Sequence, residues 1–134
     1  MTTPADLPTD LKYTAEHEWL KLEDGRARVG ITAYAGSQLG DVVYVDIPKA
    51  GASVKAMKPF GVVESVKAVS DLYSPITGLV VAVNERLVDA PELVNSDPYG
   101  EGWMLVIEPA DPTELDGLLD AAAYAALAVE GAGG

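Results

Sequence analysis

The chain has no cysteine, one histidine and one phenylalanine among its 134 residues. Without cysteine it has no disulfide, no thiolate metal site and no cysteine nucleophile. Any redox chemistry must therefore ride on an attached group. The single histidine, in Glu16-His17-Glu18-Trp19, has no recognisable nucleophile motif to serve. Spaced histidine pairs, calcium-loop patterns and phosphate-binding glycine-rich loops are missing too. With 21 acids in the chain, neighbours such as Glu16 and Glu18 are expected from composition and do not argue for a hydrolase. These absences exclude most unaided catalysis and point toward a protein that is not an enzyme.

No apolar run approaches the roughly 18 residues of a membrane helix. The first ten residues hold no Lys or Arg, so they match neither a secretory signal nor an arginine-rich transit peptide. The expectation is a soluble, cytoplasmic protein with no membrane partner. Bases are scarce, 9 against 21 acids, and the net charge of −12 disfavours nucleic acid. All nine bases lie at or before Arg86, and residues 87–134 carry ten acids and no base. That acidic third reads as a solvated surface, with a docking face as the alternative.

What is present fits one domain with a buried core: 49% of residues are hydrophobic. Short runs rich in Val, Ile and Tyr, punctuated by Gly, Pro, Asn and Asp, predict a mainly β fold. The expected strands are Glu18 to Leu22, Arg26 to Ile31, Val42 to Asp46, Phe60 to Ser65, Val69 to Tyr73, Leu79 to Val83 and Met104 to Ile107. Glu23-Asp24-Gly25 reads as a hairpin turn. Thr32 caps a short helix ending before Gly40, and Asp111-Pro112-Thr113-Glu114 opens another that places Leu115, Leu118 and Leu119 on one face. Asp120 restarts a helix through the alanine-rich run to about Val129, with a disordered tail after it. A pattern G-x-V-V-x-V occurs twice, at Gly40 to Val45 and at Gly78 to Val83, as weak evidence of internal symmetry.

One segment stands apart. In Gly61 to Pro75, two strand-like runs meet around a single lysine, Lys67. If Val66-Lys67-Ala68 is a turn, the side chain projects from a hairpin tip, where an attached group can swing between partner surfaces. The triplet lacks the Gly or Asn of a tight turn, so one long strand with Lys67 on its wet face is the other reading. Pattern alone favours an ordinary solvated lysine.

At these residues the sequence resembles the glycine cleavage H-protein family, whose attachment segment is similar to Glu64-Ser65-Val66-Lys67-Ala68 followed by Ser70-Asp71 and Ser74-Pro75. Further matching blocks run in order: Leu11-Lys12-Tyr13, His17-Glu18-Trp19-Leu20, Gly30-Ile31-Thr32, Leu39 to Val45, Asn95 to Gly100 and Gly102-Trp103-Met104. Together they span roughly residues 11 to 127.

The resemblance implies a lipoyl/biotinyl-type barrel-sandwich hybrid of two antiparallel sheets, with short helices and a C-terminal helical segment. It implies a flexible segment 1–10, a lipoyl-carrier domain 11–129 and a disordered tail 130–134. Lys67 is then the residue that carries lipoate through an amide, and Glu64 and Gly78 help the lipoylating enzyme recognise the fold. Glu18 and Asp71 match acidic positions of a cleft for the loaded arm, where Glu16 replaces the small hydroxyl residue that can occur. His17 and Trp19 are read as packing residues. The implied role is a carrier shuttling an aminomethyl group from a pyridoxal-phosphate glycine decarboxylase to a tetrahydrofolate-dependent aminomethyltransferase, and the reduced dithiol to dihydrolipoamide dehydrogenase. The alternative is a non-lipoylated relative serving as a lipoate relay or interaction module. Ala56-Met57-Lys58 resembles a biotin attachment motif, but Pro59 stands where that motif has methionine.

Overall fold

A computed structural model describes residues 8–133, so most of the expected flexible segment 1–10, and Gly134 of the tail, lie outside the described residues. Two antiparallel sheets enclose the core. The larger has the strand order β1-β2-β3-β9-β8-β5, formed by Lys12–Tyr13, Glu18–Glu23, Arg26–Ile31, Leu105–Pro109, Gly78–Val83 and Ser53–Val54. The smaller has the order β4-β6-β7, formed by Val42–Asp46, Pro59–Ser65 and Val69–Tyr73. All seven expected strands are present, three with the bounds expected and four shifted at one or both ends by a residue or two. The two-residue strands β1 and β5 were not expected, being too short to show a period of two.

Alternation along the strands turns one face of each sheet inward. Leu20, Ala27, Val29 and Ile31 of the larger sheet meet Val42, Val45, Val63 and Leu72 of the smaller in one buried cluster. A second cluster gathers Leu11, Tyr13, Trp19 and Tyr124. Trp19 is buried, as expected for a packing residue, and its indole N–H donates to the Pro98 carbonyl at 2.9 Å.

The turn between β2 and β3 is built as its residues require. Asp24 and Gly25 both take positive φ, 53° and 79°, the backbone of a two-residue hairpin loop. The G-x-V-V-x-V echo extends into the structure: the pairing of β4 with β6 skips Val43, and that of β8 with β9 skips Val81. Val43 and Val81 are the same position of the repeated pattern, so both copies carry a bulge at one place.

Helix α1, Ala33–Leu39, begins and ends as its caps dictate: Thr32 Oγ1 accepts from the Ala35 amide at 3.2 Å, and Gly40 closes it with φ 81°. Two one-turn helices, α2 (Arg86–Asp89) and α3 (Leu93–Ser96), have no side-chain caps and left no mark in the sequence.

The segment after Asp111 corrects an expectation. Pro112–Gly117 is a 3-10 helix, capped by Asp111, and Leu118 already lies beyond it. Leu115 and Leu118 pack on the main core, whereas Leu119 packs on the second cluster and pairs with Tyr13 through N–H···O bonds of 2.7 and 2.8 Å. The three leucines therefore do not share a helical face, because Gly117 ends the turn before a face can form. Helix α4, Ala121–Gly133, starts where Asp120 Oδ1 accepts from the Ala123 amide at 2.8 Å, and its backbone continues past the Val129 end expected. No helix among the described residues is long and apolar enough to cross a membrane.

Candidate functional site

Lys67 stands at the tip of the β6–β7 hairpin, in a turn and not on a continuous strand. Glu64 pairs with Val69, and the Ser65 amide closes the loop by donating to the Ala68 carbonyl at 2.8 Å. The missing Gly or Asn is replaced by a side chain. Ser65 Oγ accepts from the Ala68 amide at 3.0 Å and from the Lys67 amide at 3.3 Å, wrapping the turn around a serine hydroxyl. The Val66 amide donates to the Asp41 carbonyl at 3.1 Å and ties the tip to the start of β4.

Backbone held this firmly leaves the lysine side chain free. Lys67 is exposed and makes no ion pair among the described residues. Its stem passes over Gly40, where a Cβ would sit 3.4 Å from Lys67 Cε. Around it the surface is apolar for an acidic protein: Val66 is 70% exposed, Val69 67% and Tyr44 51%. Tyr44, Glu64 and Val69 are successive partners across β4, β6 and β7, so their side chains share one face of the small sheet.

Beside this hairpin lies a cleft of about 340 Å³. Its walls come from the loop before β2 (Glu16, His17), from α1 (Tyr34, Gln38) and from β7 (Ser70, Asp71). Asp71 lies four residues past Lys67, at most about 14 Å away along the backbone. An arm on Lys67 of that order of length reaches the cleft.

Glu18 lies at the bottom of the cleft, 2% exposed. Its Oε1 accepts from the Thr14 hydroxyl at 2.6 Å and its Oε2 from the Tyr73 amide at 3.4 Å. Burial pushes its carboxyl up to about 8, overriding the opposite pull of these hydrogen bonds, and the charge of Glu16 adds to the rise. Below that pH the empty cleft holds a neutral acid that a cation would ionise. Asp71 is exposed on the opposite wall.

His17 has φ 72°, a left-handed backbone uncommon for a residue with a side chain. This conformation turns the chain between β1 and β2. The ring packs 5.0 Å from Tyr34, and Nδ1 lies 2.8 Å from the Tyr124 hydroxyl of α4. Burial lowers the His17 pKa and so favours the neutral ring, partly offset by Glu16. His17 is thus both a packing residue and a cleft wall.

The structure brings Glu18 and Asp71 into one cleft next to the Lys67 hairpin and puts Glu64 one residue before its turn. Gly78 belongs to the other sheet. A Cβ there would lie 2.2 Å from the Glu108 carbonyl oxygen, so glycine is required for the approach of β8 to β9. Lys58, of the biotin-like triplet, lies in a different bend, where Met57 has φ 61°. Ser65, Tyr34 and Gln38 were not singled out beforehand. Of these, only Ser65 carried a local signal, a turn-forming hydroxyl two residues before the lysine.

The glycine cleavage H-protein family model matches residues 11–131. A glycine cleavage system H protein of Myxococcus xanthus is 58% identical over 122 residues, covering 91% of this chain and 95% of that protein. One from Symbiobacterium thermophilum is 58% identical over 127 residues, with 95% and 99% covered. The crystal structure of a glycine cleavage system H protein from Mycobacterium marinum superposes with a TM-score of 0.83 at 43% identity, covering 90% of this chain and 97% of that one. With a family match over most of its length and both sheets in the expected arrangement, this chain belongs to the glycine cleavage H-protein family.

Proposed function

We propose that this protein is the lipoyl carrier of a glycine cleavage system, with Lys67 as the attachment residue. The observation that carries the reading is the pairing of an exposed lysine, without an ion-pair partner among the described residues, on a hairpin tip with an adjacent cleft floored by a buried acid. The fit to lipoate is chemical: Nζ is free to form an amide, and the cleft walls mix apolar and carboxylate groups.

When bound, a lipoyl group would supply the redox sulfurs this cysteine-free chain lacks and the point of attachment for an aminomethyl unit. The chain's own residues present, shelter and release. Ser65 holds the turn so that Lys67 projects the same way to the lipoylating enzyme, the decarboxylase, the aminomethyltransferase and dihydrolipoamide dehydrogenase. Glu18 and Asp71 would favour a cationic end of the arm, with Glu18 releasing its proton to solvent as that cation entered. Ile31, Leu39 and Leu72 on the walls limit water. Tethering raises the local concentration of the carried group at each partner. Glu64, at the foot of the turn, is the contact for the lipoylating enzyme.

Replacing Lys67 by Arg tests the reading. The variant keeps charge and fold but loses carrier activity, because a guanidinium does not form this amide. Carrier activity at the parent level in the Arg variant would overturn the assignment.

A further inference from the structure

The C-terminal helix reaches the walls of the cleft through Tyr124. Tyr124 of α4 is fully buried, its ring stacked on Tyr13 at 4.8 Å, and its hydroxyl lies 2.8 Å from both His17 Nδ1 and Thr32 Oγ1. Those partners belong to two different walls: His17 to the loop before β2, and Thr32 to the cap of α1, the helix that contributes Tyr34 and Gln38. We propose that Tyr124 is a positioning residue that braces the two walls of the cleft and fixes its width, making the C-terminal helix part of the arm site.

The direction of the hydrogen bonds follows from counting hydrogens. Thr32 Oγ1 already accepts from the Ala35 amide, and among the described residues the Tyr124 oxygen is the sole acceptor within reach of its hydrogen. Thr32 therefore donates to Tyr124, and Tyr124 donates to His17 Nδ1, which leaves the ring hydrogen on Nε2. The buried hydroxyls of Thr32 and Tyr124 are then both satisfied, as buried polar groups require. Loss of the Tyr124 hydroxyl unpairs both walls at once, and the cleft is free to widen and admit water to Glu18.

That the cleft serves the arm rests on the function proposed above. The brace itself is tested in the unmodified full-length protein, so its failure is separable from failure of that reading. In the parent, nitrogen NMR of the His17 ring should show hydrogen on Nε2. Tyr124→Phe, which keeps the stacked ring, should shift the Nδ1 resonance and move the Glu18 carboxyl titration back toward the ordinary glutamate range. It should also speed hydrogen exchange of the Gly36 amide, bonded to the Thr32 carbonyl, about fivefold, the worth of one hydrogen bond. Glu114→Gln is the control: it weakens a contact outside the cleft, that of Glu114 with Thr77 at 2.7 and 2.9 Å. Hydrogen on Nδ1 in the parent would overturn the proposal without any variant. An unmoved Glu18 titration in Tyr124→Phe, or an equal shift in Glu114→Gln, would also overturn it.

Discussion

The Tyr73 amide points at Glu18 Oε2 across 3.4 Å, linking β7 of the small sheet to β2 of the large one at the floor of the cleft. The same acid is therefore a tie between sheets and the residue best placed to sense a charge entering the cleft. Its burial has a measurable consequence.

Folding raises the Glu18 carboxyl from 4.5 to about 8. The folded state then holds a proton that the unfolded chain releases, so Glu18's contribution to stability is greatest below about pH 4.5 and falls as pH rises toward 8. Above 8 the loss levels off, because both states are ionised. Glu18→Gln removes this penalty, of order a few kcal/mol at its upper bound. Urea unfolding at pH 5 and pH 9 should show a smaller difference in the Gln variant than in the parent. Equal differences would mean that Glu18 is ionised in the folded protein at both values.

Ser65→Ala removes the hydroxyl that accepts from the Lys67 and Ala68 amides. The expected cost is about 1 kcal/mol of stability, with faster amide exchange at the tip. Lipoylation should slow, because the lysine is no longer held in one orientation. An unchanged rate would show that the enzyme itself shapes the turn.

Glu64 and Gly78 separate when tested together. Gly78→Ala forces a methyl against the Glu108 carbonyl oxygen, and a loss of roughly 1–3 kcal/mol is expected. Its effect on lipoylation should follow the fraction folded. Glu64→Gln should leave the melting temperature within about two degrees, since a substitution at such a position costs under ~0.5 kcal/mol, yet slow lipoylation. The opposite pattern, a stable Gly78 variant that resists lipoylation, would assign Gly78 the recognition role directly.

Much of this was legible in the chain. Asp24-Gly25, Thr32 and Gly40 announced a turn and both helix caps because each acts on its own backbone neighbours. The strands from Glu18 to Tyr73 were legible from β-branched content and alternation. Two-residue strands and one-turn helices were not, since neither is long enough to display a period and the helices α2 and α3 lack side-chain caps. The lysine turn stayed open between hairpin and strand because its determinant is one serine hydroxyl, not a glycine.

The cleft was legible only through family resemblance. Its walls come from residues up to about position 73 and its brace from Tyr124, 107 residues away from His17, and no local pattern reports such a meeting. The acidic third also proved less uniform than its charge implied. Asp111 and Asp120 cap helices and Glu114 holds Thr77, so these acids have structural duties within the chain.

The most direct test of the carrier assignment is peptide-resolved mass spectrometry of the protein produced with lipoate and an active lipoylating enzyme. One lipoyl group on Lys67 is the predicted result. A bare Lys67 in the presence of active enzyme, or modification of Lys58 in its place, would contradict the account.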